Sequence, residues 1–174
     1  GMARVSRVEL TAILGLPAVK PGDDLARLIH DAAAAQQTAL ADGVLVVCQK
    51  IVSKAEGRIV PLAGIEPTDL ARQIARDDGK DPRHIELVLR ESVRIVRRGY
   101  RTLITETRHG FVCANSGVDL SNAPLADSAV LLPDDPDASA RALRAGLEKR
   151  GHGPLAVVVS DTFGRPWREG LVDV

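Results

Sequence analysis

The sequence predicts an α/β (α+β) domain, helices packed on a mixed β-sheet, and three observations lead there. Short β-branched apolar runs alternate with longer segments whose apolar residues recur at helical spacing. Gly, Pro, Asn and Asp fall between these segments, where the chain must turn. The 174 residues, 45% hydrophobic and 26% charged, suit one folded domain over 1–174.

Taken in order, Pro21-Gly22-Asp23-Asp24 reads as a turn and N-cap, after which Leu25, Leu28, Ile29, Ala32 and Ala33 predict a helix reaching residue 41. Asp42-Gly43 stops it. Residues 44–48 are too short and too β-branched for a helix and predict a buried strand, which runs into Gln49-Lys50-Ile51-Val52-Ser53-Lys54. Thr68 predicts the cap of a second helix ending near Asp77. Asp81-Pro82 opens a third, with Asp as cap and Pro at the first helical position. This third helix is expected to run to Arg98, with Ile85, Val88, Leu89 and Val96 on its apolar face. Arg90, Arg94, Arg97, Arg98 and Arg101 then form a basic stripe at spacings of three and four. Residues 103–106 and 110–114 predict a hairpin around Arg108-His109-Gly110, followed by a polar loop over 115–124. A short strand at 130–132, a helix at 137–150 closed by Gly151 and a buried strand at 155–160 complete the reading.

Composition excludes several function classes. The 23 basic and 23 acidic residues cancel, so no global field draws the chain to nucleic acid or an acidic membrane. Two Phe, one Tyr and one Trp give too few faces for a base-stacking surface. The longest apolar runs are about five residues, against the ~20 needed to span a bilayer, and no secretory signal is visible at the start. The expected location is the cytoplasm. Cys48 and Cys113 each lie in an apolar run and are expected as free thiols.

Three segments place polar groups where a predicted strand has just ended, the usual position of sites in α/β folds: 49–54, 115–122 and 161–168. Lys50 and Lys54 share a face if the chain turns helical there, and suit either a phosphate or solvent. Asp119 and Asp161, with Ser121, Asn122 and Thr162 as neighbours, offer oxygens to a hard cation such as Mg²⁺ or Mn²⁺; by composition alone, loop capping or Asx-turns explain each aspartate better. The arginine stripe is either a solvated face or a cradle for a polyanionic substrate. His30, His84, His109 and His152 show no zinc-ligand spacing, and neither G-x-x-x-x-G-K-[ST] nor G-x-S-x-G occurs.

Together, the strings GLPAVKPGDDL, VVCQKIVSKAEGRIV, DPRHIELVLRES, GFVCANSGVDLSNAP and VVVSDTFGRPWREGLVDV resemble the coenzyme F420-0:L-glutamate ligase (F420-0:gamma-glutamyl ligase) family, in order along nearly the whole chain. The resemblance implies that family's own fold, unrelated to P-loop proteins, a homodimer, and a GTP-dependent ligase adding L-glutamate to coenzyme F420-0 through an acyl phosphate. GDP and phosphate would be released. It implies Mn²⁺ or Mg²⁺, with K⁺ as a further candidate ion. Carried over position by position, Leu16, Pro17, Ala18, Val19, Gln49, Lys54 and Asn122 match nucleotide-contacting positions. Asp119, Asp161 and Thr162 match metal positions, and Lys54 and Asp161 are the catalytic candidates. Ala18 stands where the pattern expects an acidic residue. Family members continue beyond the position of Val174 with a Gly-rich segment that supplies another metal ligand, so the domain is expected to be incomplete at its C-terminus. A non-catalytic nucleotide-binding module, or a ligase for a different carboxylate acceptor, are the alternative readings.

Overall fold

The computed structural model describes residues 8–99, 101–120 and 127–161. Asp24 caps α1 (Leu25–Ala35), its carboxylate accepting the Arg27 amide at 2.9 Å, and the helix buries Ala26, Leu28, Ile29, Ala32 and Ala33. The helix stops six residues short of the predicted end. Gln37 takes a left-handed conformation (φ 56°), and the Gln36 side chain turns back to accept from the Leu14 amide and donate to the Ala12 carbonyl. The chain then enters β1 (Gly43–Cys48), which pairs in parallel with β7 (Leu155–Ser160).

Both strands were expected to be buried, and only one face of the pair is. Val47 and Leu155, with Leu45, Val157 and Val159 beside them, join Ala26, Ile29, Val52, Leu143 and Leu147 in one core between α1 and α5 (Pro136–Glu148). The opposite face leaves Val44 63% and Val46 61% exposed.

A second core gathers Leu62, Leu87, Val88, Leu103, Val118, Ala129 and Leu131. Around it lie the antiparallel pair β2 (Ile59–Pro61) and β6 (Ser128–Val130) and helix α4 (Pro82–Arg90). β2 had no counterpart in the sequence reading, because three residues give no period. α3 (Asp69–Asp78) packs on α4 through Ala71, Ile74, Ala75 and Ile85, and the predicted caps Thr68 and Asp81 both accept from the first turns of their helices.

The third helix ends at Arg90, not Arg98. Residues beyond it form β3 (Ser92–Gly99), antiparallel to β4 (Thr102–Thr107), which in turn pairs with β5 (Val112–Ala114). Val93, Ile95 and Val96 favour extended backbone, and β4 supplies the partner that decides the matter. The helical arginine stripe therefore does not exist: Arg94, Arg97 and Arg98 stand on an exposed strand with two register shifts. The predicted β4–β5 hairpin is present, its turn closed by Gly110 N–H donating to the Thr107 carbonyl at 2.9 Å. Among the described residues the architecture is mixed α and β, with five α-helices and three small sheets in place of one mixed sheet; only the β1–β7 pair is parallel.

Candidate functional site

In the β1–β7 register Cys48 stands opposite Ser160, so the next residues, Gln49 and Asp161, leave the sheet together at its carboxyl edge. That is where parallel α/β arrangements build sites. Both line a cavity of about 300 Å³ whose walls include His109, Phe111, Leu132 and Pro133. Gln49 opens α2 (Gln49–Ala55) and is 8% exposed; its amide nitrogen donates to Ser53 Oγ at 2.5 Å and faces the Leu131 carbonyl at 3.4 Å. The side chain is therefore fixed by its own helix.

The next residue, Lys50, holds Asp119 on the far side of the same turn, Nζ to Oδ2 at 2.5 Å. Asp119 reaches that position through an unusual turn. Asn115, Ser116 and Gly117 all have positive φ (51°, 52° and 69°), and Ser116 N–H donates to Thr105 Oγ1 at 2.9 Å, tying the turn to β4. Beyond it, Asp119 exchanges both backbone hydrogen bonds with Val130, at 2.9 and 2.8 Å. The first two residues of α2 thus meet the two aspartates singled out in the sequence, Gln49 sharing a cavity with Asp161 and Lys50 pairing with Asp119. Lys54, one turn along and half-buried, makes no ion pair among the described residues.

Leu16 packs against the first core and lines a second cavity, about 690 Å³, with Ile29, Cys48 and Ile51; Val19 is buried, whereas Pro17 and Ala18 are exposed. The following turn is anchored to the end of α2 by Gly22 N–H donating to the Ala55 carbonyl at 2.8 Å. Leu16 and Gln49 therefore line two cavities rather than one. Asn122 and Thr162 lie outside the described residues.

Carboxylate oxygens from Asp119 and Asp161 are the hard donors that Mg²⁺ or Mn²⁺ prefers, and they fit such an ion chemically. Among the described residues no three His, Cys, Asp or Glu side chains converge on one cation site. Four of the five arginines of the expected stripe are committed elsewhere. Arg94 pairs with Glu106 at 2.6 Å, Arg98 with Asp77 at 2.9 Å, and Arg90 with Glu86 at 2.9 Å, while Arg101 Nε donates to the Asp78 carbonyl at 3.1 Å. The expected helical face is therefore not built, and Arg97 stands exposed on β3.

Two histidines with no sequence signal as site residues stand close to this geometry. His109 donates from Nε2 to the Pro133 carbonyl at 2.7 Å and stacks on Phe111, with centroids 5.7 Å apart, on the cavity wall. His84, 7% exposed in the first turn of α4, is held below the usual histidine range, chiefly by burial and then by the Lys80 ammonium. Only tertiary contacts bring either one near.

A family model described as F420-0:Gamma-glutamyl ligase matches residues 14–174. The chain belongs to that family. Its relatives include proteins named coenzyme F420:L-glutamate ligase from three organisms. That of Methanopyrus kandleri is 48% identical over 156 residues, covering 90% of this chain and 60% of the relative. That of Methanothermobacter thermautotrophicus is 46% identical over 168 residues, 96% of this chain and 66% of the relative. That of Methanocaldococcus jannaschii is 39% identical over 164 residues, 92% of this chain and 63% of the relative. The chain thus spans just under two thirds of the length of these family members. Among the described residues no helix is long and apolar enough to cross a membrane.

Proposed function

We propose that the protein is a GTP-dependent amide ligase that joins L-glutamate to coenzyme F420-0 and releases GDP and phosphate. The observation that carries this reading is 39–48% identity, over most of the chain, to proteins named coenzyme F420:L-glutamate ligase. The grouping of Gln49, Lys50, Asp119 and Asp161 about the first turn of α2 supports it. In this reading 1–174 is one domain of the family's own fold, unrelated to P-loop proteins, working in the cytoplasm as a homodimer.

A carboxylate is a poor electrophile, so its oxygen first attacks the γ-phosphorus of GTP and GDP leaves. The glutamate amine then attacks the acyl carbon, loses a proton, and phosphate departs as the amide forms. No covalent enzyme nucleophile is needed, and the protein's contribution is positioning and charge. Leu16, Pro17, Ala18, Val19, Gln49 and Asn122 hold the nucleotide. Lys54, free of a carboxylate partner among the described residues, offers its ammonium to the transferring phosphoryl group. Mn²⁺ or Mg²⁺ at Asp119, Asp161 and Thr162 would neutralise phosphate charge, K⁺ being a further candidate ion.

The test is mass spectrometry of the deazaflavin after incubating the full-length protein with coenzyme F420-0, L-glutamate, GTP and Mn²⁺. A gain of one or more glutamyl units is expected. GTP binding with no gain would turn the reading to a nucleotide-binding module, and a gain only with another acceptor would change the substrate.

A further inference from the structure

Two histidines that the ligase chemistry leaves unused meet across the seam between α1 and α5. His30 lies on α1 and His152 in the turn between α5 and β7, both half-buried. His30 Nδ1 stands 2.9 Å from His152 Nε2, the rings edge to face with centroids 5.0 Å apart. At that distance one nitrogen donates and the other accepts, so at least one ring is neutral. The pair can share a first proton, whereas a second sets two N–H groups and two positive charges against each other.

The seam around the pair fits closely. A Cβ at Gly146 of α5 would stand 2.6 Å from Ala26 Cβ on α1, and one at Gly153 would stand 2.9 Å from Ala41 Cβ. His152 N–H donates to the Leu147 carbonyl at 3.2 Å, and Asp42 N–H to the Pro154 carbonyl at 2.8 Å. Charged groups on these elements pair with one another: Arg150 with Asp24 at 2.6 Å, Arg27 with Asp31 at 3.4 Å and Arg144 with Glu148 at 2.8 Å. Glu9, Asp42 and Lys149 are the other charged groups on the segments beside the pair. The seam also leads to the candidate site. Only residues 20–23 separate Asp24, the cap of α1, from Val19; within them Lys20 N–H donates to Asp23 Oδ2 at 2.7 Å and Gly22 N–H to the Ala55 carbonyl at 2.8 Å.

We propose that His30 and His152 form an acid-sensitive latch on the α1–α5 seam, closed at neutral pH and opened by the second proton, which loosens the turn carrying Leu16–Val19. Its effect on nucleotide rests on the reading of those four residues as GTP-contacting positions. Burial, and then the facing His30 ring, hold the His152 imidazole below the usual histidine range. The unfolded chain therefore binds that proton more readily, and the folded state loses stability as pH falls below the ordinary value of 6.5.

The test compares the protein with His152→Gln, uncharged at every pH, or with His30→Gln where the first variant does not fold. In urea unfolding between about pH 7.5 and about pH 5.5, the parent is expected to lose about tenfold more of its folded-to-unfolded ratio than the variant, the limit for one histidine whose proton the fold refuses. Equal losses overturn the latch. Imidazole nitrogen-15 shifts are expected to show two separated titration steps for the pair, and a single shared midpoint overturns it as well. GTP affinity by calorimetry is expected to fall by up to about tenfold more in the parent than in the variant over the same range, a comparison that cancels the titration of the nucleotide's own phosphate. An equal fall overturns the coupling to residues 16–19. No GTP binding by either protein at either pH overturns the nucleotide reading, while the unfolding and nitrogen-15 results still decide the latch.

Discussion

Gly117 is the tightest point in the turn that delivers Asp119, and Gly117→Ala measures how tight. The residue has φ +69°, and a Cβ there would stand 2.8 Å from Leu132 Cγ and 2.9 Å from both Leu132 methyl carbons. An L-residue in the left-handed region costs roughly 1–2 kcal/mol. Forcing a methyl group into a filled space costs about 1–3 kcal/mol more. Leu132 has little room to yield: it is 5% exposed, and its carbonyl accepts from Arg58 Nε at 2.9 Å. A total near 3 kcal/mol would lower the melting temperature of a chain this size by about 6–12 °C.

The two contributions separate in a double-mutant cycle. Leu132→Ala removes the atoms that the new methyl would strike, at its own cost of about 2–5 kcal/mol for the cavity. The double variant is then expected to be more stable than the sum of the singles by about 1–3 kcal/mol, while the left-handed strain persists. Urea unfolding gives all four corners. A Gly117→Ala protein within about 0.5 kcal/mol of the parent, or singles that add without coupling, would refute the packing argument.

Asp161→Asn is expected to abolish divalent-dependent GTP turnover in the full-length protein, and an unaffected rate would remove Asp161 from the metal site. Lys50→Met takes an ammonium from Asp119; unit charges 4 Å apart in water are worth about 1 kcal/mol, so Mn²⁺ is expected to bind roughly fivefold tighter and GTP more weakly by calorimetry. Glu86 joins α4 to the α3 cap, accepting the Thr68 amide and hydroxyl, each at 2.8 Å, and Arg90 Nε at 2.9 Å. Burial pushes its carboxyl up, but these donors together outweigh burial and hold it below the usual range. A lowered folded pKa contributes stability above the unfolded value of 4.5, lost as pH falls through the folded value. Glu86→Gln is therefore expected to be less stable than the parent at pH 7 by about 1–3 kcal/mol and to lose that gap at acid pH, as the folded carboxyl takes up its proton. An equal gap at both pH values in urea titrations would contradict the linkage.

What the sequence disclosed divides by the range of the interaction responsible. Asp24, Thr68 and Asp81 were legible as caps because a cap bonds an amide two or three residues away. The stretch after Arg90 was not, since its arginines keep helical spacing while Val93 and Ile95 alternate as in a strand; β4 decides between the two periods, and no local rule contains β4. The site residues were legible as a family pattern but not as a geometry. Gln49 meets Asp161 only because β1 and β7 pair in parallel with Cys48 opposite Ser160, and nothing near either residue encodes that register.

The charges show the same division, with a consequence for function. Read along the chain, the lysine pair and the arginine stripe each suited either solvent or an anion. In the fold Lys50 meets Asp119, and Arg90, Arg94 and Arg98 meet Glu86, Glu106 and Asp77, carboxylates that lie on other turns or other elements. Each such pair is largely neutralised, so an incoming phosphate must displace a partner before it gains from the cation. Lys54 has no ion pair to break among the described residues and lies one turn beyond Lys50 on the same short helix. Lys54 is thus the member of the lysine pair with no carboxylate partner among the described residues, a property that spacing in the sequence does not record.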